Sequence, residues 1–413
     1  MSATAAVDAF AGVGWGVACE WLGVREYGIE RAKEAIRSRT ANGMRTIVRD
    51  VWSGLFFPWL IPAHRLYIAS PPCQTFSMAG NGEGRDALAD VLAAIDDESW
   101  KKPEQLHGLA DRLDPRTALV LTPLAHIWAH RPELVALEQV PEVLPVWHAI
   151  AAVLRTLGYS VWTGILRAEM FGVPQTRKRA ILMARLDGKV QPPAPTHSRY
   201  YSTDPSRLDA GVEKWVSMAE ALGWDSDDPR EAHALRGAGQ TERYGERPGR
   251  RADQPAPTLR ANGGGNASGG FVWKVPRRGE RLETNQDSQL GGGRKERYSK
   301  SVDAPAPTLT ARADLWKWKD APATTVAGKG EVTTREHHGH GEQSGTALKL
   351  TRDEAATLQT FPPDFAWRGS KTSQFLQIGN AVPPLMGAAI LGALLAEPGV
   401  RDAWDLVFAE VAG

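Results

Sequence analysis

Short apolar or β-branched runs alternate with longer stretches of helical periodicity over residues 7–186. The runs Val7-Asp8-Ala9-Phe10-Ala11, 23–29, Thr46-Ile47-Val48, 66–69, 134–137, 159–166 and 180–184 have the length and content of strands. Between them, as over 141–157, apolar residues recur every three or four positions, which is one face of a helix. Strand and helix in alternation predict an α/β chain: a Rossmann-like, mostly parallel sheet with helices on both faces. Such sheets take their ligands at the carboxyl ends of the strands, so chemistry is to be sought in the loops that follow the runs. The pattern lapses after about residue 190 and turns helical again over 351–397. There Pro383-Pro384 lies at the start of the last helix, where a missing amide hydrogen costs least.

Composition narrows this picture. A length of 413 residues exceeds one ordinary core, and 42% hydrophobic with 23% charged residues excludes a disordered or fibrous chain. The longest apolar stretch, 383–396, holds two prolines and is too short to span a bilayer, and residues 1–8 lack the basic and apolar regions of a leader. A soluble, cytoplasmic protein is expected. Cys19 and Cys73 allow at most one disulfide and exclude a three- or four-cysteine zinc site. The net charge of +1 hides an uneven distribution, since residues 230–349 carry 21 lysines and arginines against 14 aspartates and glutamates. The same residues hold 18 of the 41 glycines, which predicts long loops. Three parts follow: a domain over 1–190, a smaller loop-rich insertion over 191–347, and helices over 348–413 that return to the first. Within the insertion, Asp253-Gln-Pro-Ala-Pro-Thr-Leu echoes at Asp303 and Asp320, at spacings too unequal for a solenoid. Each copy reads as a turn leading into an extended segment, with a duplicated DNA-contact hairpin as the alternative. The cluster His337, His338 and His340 lacks a cysteine or carboxylate framework and reads as a glycine loop; no metal is expected.

The loops after the strands carry the reactive residue types. Asp8-Ala9-Phe10-Ala11-Gly12-Val13-Gly14 is a glycine-rich strand-to-helix turn that lets a ligand approach the backbone at a helix N-terminus. Glu30, ending the second strand, suits ribose hydroxyls, and Asp50, after the third, suits an adenine amino group. Ser70-Pro71-Pro72-Cys73-Gln74-Thr75-Phe76-Ser77 follows the fourth strand and offers a thiol on a stiff polar loop. Cys19, in an apolar helix, reads as a small buried hydrophobe. Glu138-Gln139-Val140-Pro141 ends the fifth strand. Gln175, Arg177 and Arg179 occupy alternate positions, so a strand-like segment would present all three on one face.

In content and order these motifs, together with Gln359-Thr360-Phe361-Pro362 and Gly379-Asn380-Ala381-Val382-Pro383-Pro384, resemble the DNA (cytosine-5) methyltransferases. The resemblance covers roughly residues 1–190 and 348–396. It implies S-adenosyl-L-methionine as cofactor, held by Asp8, Phe10, Gly12, Gly14, Glu30, Asp50, Pro72, Asn380 and Val382. It implies catalysis by Cys73, Glu138, Arg177 and Arg179, with the target base flipped out of the duplex. The Cys73 thiolate would add to carbon 6 of cytosine, Glu138 would hold a proton near N3, and Arg177 would hold the ring carbonyl. Duplex DNA is the implied partner, contacted by Gln74, Ser77, Arg116 and Gln175, with target recognition in the insertion. A monomer in a prokaryotic or phage-infected cell is expected, associated with the nucleoid, with a cognate restriction endonuclease as a candidate partner. Two features depart from the family. Gln139 stands where asparagine is usual, and extra helical-looking sequence over 84–110 precedes Asp114-Pro115-Arg116. A tRNA cytosine-5 methyltransferase of the same fold, a nicotinamide-dependent oxidoreductase and an inactive DNA-binding relative are the alternatives.

Overall fold

The computed structural model describes residues 4–72, 88–112, 115–199, 208–223, 253–256 and 351–396 in full, together with the backbone of seven short strands between 231 and 349. The apolar runs form strands β1 (Ala5–Ala9), β2 (Arg25–Ile29), β3 (Arg45–Val48), β4 (Leu66–Ala69), β5 (Leu134–Gln139), β6 (Ser160–Arg167) and β7 (Lys178–Arg185). They make one sheet in the order β3-β2-β1-β4-β5-β7-β6. Neighbours from β3 through to β5 are parallel, and β7 runs antiparallel between β5 and β6. The mostly parallel Rossmann-like α/β sheet is therefore present, with one reversed strand near its edge. Strands β4 and β5 are buried at every position, which is why they read as unbroken apolar runs.

Helices α1 (Gly14–Trp21), α2 (Lys33–Ala41) and α3 (Val51–Phe56) follow the first three strands. The sequence over 84–110 supplies α4 (Leu88–Asp96) and α5 (Pro103–Arg112), as its helical look predicted, and α6 (Pro115–Ala118) and α7 (Thr122–His130) lead into β5. Helix α8 (Leu144–Thr156) connects β5 to β6. After the short α9 (Met218–Leu222), the described backbone forms two small antiparallel sheets of four and three strands. The chain ends in α10 (Arg352–Leu358), α11 (Lys371–Asn380) and α12 (Pro384–Leu395). One core joins Val7, Tyr67, Val135 and Leu182 to α3, α4, α5, α7 and α8 on one face of the sheet. A second joins Ala6, Ile68, Ala136 and Ile181 to α1 and α12 on the other. The stretch Lys371–Leu395 is apolar and long enough to cross a membrane, but 78% of its apolar window is buried inside the protein, so core packing accounts for its composition.

The first of these cores encloses an imidazole. His126 on α7 is buried, sits 3.2 Å from the Val51 carbonyl through Nε2, and stacks on Tyr67 at 5.6 Å and on His130 at 5.9 Å. Burial first, then the neighbouring His130, lowers its pKa to about 3. The unfolded chain binds a proton near pH 6.5 that the folded one refuses, so this contribution to stability is complete above that pH and is lost as pH falls toward 3. Urea unfolding at pH 7.5 and pH 5 should show a His126→Gln variant losing less stability on acidification than the parent. The difference is at most about 1.4 kcal/mol per pH unit.

Candidate active site

The glycine turn stands at the carboxyl end of β1. Phe10 and Gly12 have φ of 59° and 50°, a left-handed conformation in which glycine is unstrained. Among the described residues nothing lies within 4 Å of the place a Gly12 side chain would occupy, so the turn is open there. Glu30 accepts the Gly12 N–H at 2.8 Å through Oε2 and the Ala32 N–H at 2.7 Å through Oε1. Asp50 caps α3 by accepting the Trp52 N–H at 3.0 Å. Both half-buried carboxylates thus spend part of their acceptor capacity on the loops that place them at the strand ends. Asp8 is wholly buried, and its carboxyl oxygens make no hydrogen bond among the described residues. Burial first, then the charge of Glu26, holds this carboxyl well above the usual carboxylate range.

Residues distant in sequence meet the turn from the C-terminal segment. Asn380 is exposed at the end of α11, and the Val382 backbone lies directly against Gly14. A Cβ on Gly14 would stand 2.1 Å from the Val382 carbonyl oxygen. Because that neighbour is backbone, Gly14→Ala is expected to cost about 1–3 kcal/mol by the overpacking it forces. Denaturant unfolding checks this, and an unchanged midpoint would refute the close approach.

Beside the turn, the ends of β4, β5 and β7 converge. Trp15 Nε1 donates to Ser70 Oγ at 2.9 Å, and Gln139 Nε2 donates to the Pro71 carbonyl at 2.7 Å. The loop that leads into Cys73 is therefore tied to α1 on one side and to β5 on the other. Gln139 in place of asparagine has a use here: the longer side chain reaches Pro71 while its Oε1 accepts the Val140 N–H at 2.5 Å. Glu138, at the same strand end, is paired with Arg179 Nε at 2.6 Å, both side chains nearly buried. Pro72 is half-buried and is the last described residue before the loop. Cys73, Gln74 and Ser77 lie outside the described residues, as do His337, His338 and His340 and the second and third copies of the Asp-x-Pro-Ala repeat. Part of the first copy is described, and there Ala256 pairs with Gln175 in a parallel bridge, its N–H on the Pro174 carbonyl at 2.9 Å.

Gln175, Arg177 and Arg179 meet different partners. Gln175 is wholly buried and binds Gln359 Oε1 and the Leu358 carbonyl, so its side chain braces the C-terminal segment. Arg177 is buried with Nη1 on the Gly379 carbonyl at 3.0 Å. It is Arg179, not Arg177, that stands beside Glu138. Arg116 is half-buried on α6. Two residues of the turn's surroundings escaped the reading of the sequence, Glu26 and Arg39, because charges on a strand end and a polar helix look like solvated surface.

A family model for C-5 cytosine-specific DNA methylases matches residues 108–396, more than half of the chain. The chain is 26% identical over 338 residues to the type II methyltransferase M1.HphI of Haemophilus parahaemolyticus, an alignment covering 79% of this chain and 67% of that protein. It is 25% identical over 358 residues to M.SacI of Streptomyces achromogenes, covering 84% and 76%. Among solved structures it is similar in fold to the Entamoeba histolytica methyltransferase EhMeth, with a TM-score of 0.52 at 13% identity over 96% of this chain and 100% of that one. The S. pombe Dnmt2 methyltransferase is similar at a TM-score of 0.51 and 16% identity, over 95% and 98%.

Proposed function

The chain belongs to the C-5 cytosine-specific DNA methylase family, and from that premise we propose that it methylates carbon 5 of cytosine within a specific duplex DNA sequence through a covalent cysteine adduct. The observation that carries this reading is the meeting of Glu138, Arg179 and the Pro71-Pro72 loop at adjacent strand ends. Carbon 5 of cytosine is a poor nucleophile until a thiolate adds at carbon 6, which places an electron pair in the ring as an enamine. Cys73, directly after Pro72, is the thiol that this loop delivers. Glu138 holds a proton at N3 as the electron pair moves into the ring, and Arg179 fixes the Glu138 carboxylate from the side. After transfer, loss of the proton from carbon 5 restores the double bond and expels the thiolate. The base is inaccessible in a stacked duplex, so it enters the site flipped.

S-adenosylmethionine supplies the methyl group when bound, and the residues at the turn fit it: an open left-handed Gly12, with carboxylates from Glu30 and Asp50 at successive strand ends. Phe10 lies within the turn, the Val382 backbone borders it, and Asn380 stands exposed two residues before Val382. Buried Asp8 lies in β1, which leads into the turn, and Gly14 contributes by admitting the Val382 backbone. Of the positively charged groups, Arg179 takes the role near the base that the sequence pattern assigned to Arg177. The type II relatives support a restriction–modification setting; a cytoplasmic monomer with a cognate endonuclease as partner belongs to the same proposal. Residues 191–347, within which the basic, glycine-rich stretch beginning at Arg230 lies, are the proposed target-recognition part, with Arg116, Gln74 and Ser77 approaching DNA from the other side.

Bisulfite sequencing of DNA from cells expressing the protein tests the reaction and reveals its target together. Protected cytosines in one recurring sequence are expected. Label from methyl-tritiated donor appearing in tRNA and not in duplex DNA would overturn the DNA assignment in favour of the tRNA reading.

A further inference from the structure

Arg39 sits on α2 within Lys33-Glu34-Ala35-Ile36-Arg37-Ser38-Arg39, a run whose charges suit a solvated helix, yet its side chain is wholly buried. Its guanidinium gathers acceptors from three elements. Nη2 donates to Glu26 of β2 at 2.7 Å and to the Arg45 carbonyl of β3 at 2.8 Å, and Nε donates to Thr46 Oγ1 at 3.1 Å. Nη1 reaches out of the sheet to the carbonyl of Gly12 in the glycine turn at 3.2 Å. Gly28 makes the room for this, since a Cβ there would stand 2.2 Å from Nη2. The Gly12 residue is thus gripped by two charged side chains, its N–H by Glu30 and its C=O by Arg39.

We propose that Arg39 is a positioning residue for the methyl-donor site, holding Gly12 in its open left-handed conformation and in fixed register with Glu30. The proposal rests on the reading of the turn as that site. Charge alone does not suffice for the task. A planar guanidinium presents five N–H groups in a fixed fork and satisfies β2, β3 and the turn together, whereas an ammonium concentrates three donors at one point. Glu26 offsets the buried positive charge, so the cluster is paired where it is cut off from water.

The test compares the parent with Arg39→Lys, which keeps the charge and loses the fork, and with Gly28→Ala, which keeps the arginine and displaces it. Thr46→Val removes a single acceptor and serves as the mildest variant should Arg39→Lys fail to fold. Calorimetry measures the Kd for S-adenosylhomocysteine, steady-state kinetics give kcat and KM for donor and for DNA, and thermal unfolding reports integrity. Arg39→Lys and Gly28→Ala are expected to weaken S-adenosylhomocysteine binding and raise the donor KM about tenfold or more, as loss of a charge-assisted hydrogen bond implies. Thr46→Val should show the same signature about threefold. The kcat at saturating donor and the KM for DNA should stay near the parent values. Folded variants that bind S-adenosylhomocysteine as tightly as a binding-competent parent, whatever their Tm, overturn the proposal alone. A parent that does not bind S-adenosylhomocysteine overturns the donor-site reading and this proposal with it.

Discussion

Cys73→Ala is expected to eliminate methyl transfer to duplex DNA, while Cys19→Ala leaves it nearly intact. The two thiols differ in where the chain puts them. Cys19 is wholly buried in α1 among Ala6, Trp15 and Ala388, and burial, reinforced by Glu26 and Asp8, pushes its pKa well up, so it is neither accessible nor ionised. Cys73 follows a loop tied at Ser70 to Trp15 and at Pro71 to Gln139, which fixes the chain two residues before it at the end of β4. Removing a nucleophile removes the covalent route altogether, because cytosine has no other means of activating carbon 5 here. Tritium incorporation into DNA, with circular dichroism to confirm folding, decides the matter. Parent-level activity in Cys73→Ala would sink the covalent mechanism. A duplex carrying 5-fluorocytosine at the target supplies an independent check. Its fluorine cannot depart as a proton does, so the parent should be trapped on it in the presence of methyl donor, and Cys73→Ala should not.

The second large effect is expected at Glu138. Glu138→Gln keeps the shape of the side chain and its place beside Arg179, yet removes the carboxyl proposed to hold a proton at N3. The loss in kcat should be about 100- to 10,000-fold, the range ordinary for a general acid or base. Arg179→Ala should also lower kcat, since it leaves Glu138 nearly buried with its 2.6 Å partner gone. Arg177→Ala is different in kind. It removes the brace on the Gly379 carbonyl next to Asn380, and should show chiefly as lost stability and weaker donor binding. Single-turnover rates at saturating donor and DNA separate these cases. A Glu138→Gln variant within threefold of the parent would remove Glu138 from the chemistry.

Much of this molecule can be read along the chain. Strands β1, β4 and β5 announce themselves because a strand covered on both faces must be apolar at nearly every position. Helix α8 declares itself by periodicity and, like α12, by proline at its start. The order of short motifs, from the glycine turn to Gly379-Asn380-Ala381-Val382, identifies the family, since loops at strand ends keep the residue types their chemistry demands.

What folding alone decides is which of these residues meet. An apolar run carries no mark of direction, so the reversal of β7 between β5 and β6 becomes visible only when the sheet is assembled. Alternate spacing does not tell which partner each side chain meets: Gln175 and Arg177 bind the C-terminal segment, while Arg179 pairs with Glu138. The abutment of Gly14 on Val382, 368 positions further on, depends on the chain returning past the whole insertion. The Arg39 clamp is the clearest case. A guanidinium can be buried only where its acceptors already converge, and those acceptors come from β2, β3 and the glycine turn, with Gly28 supplying the space. Single residue types record the cost of burial or exposure at one position, but a buried charge is stabilised by partners that the sequence scatters and only the packed sheet brings within hydrogen-bond reach.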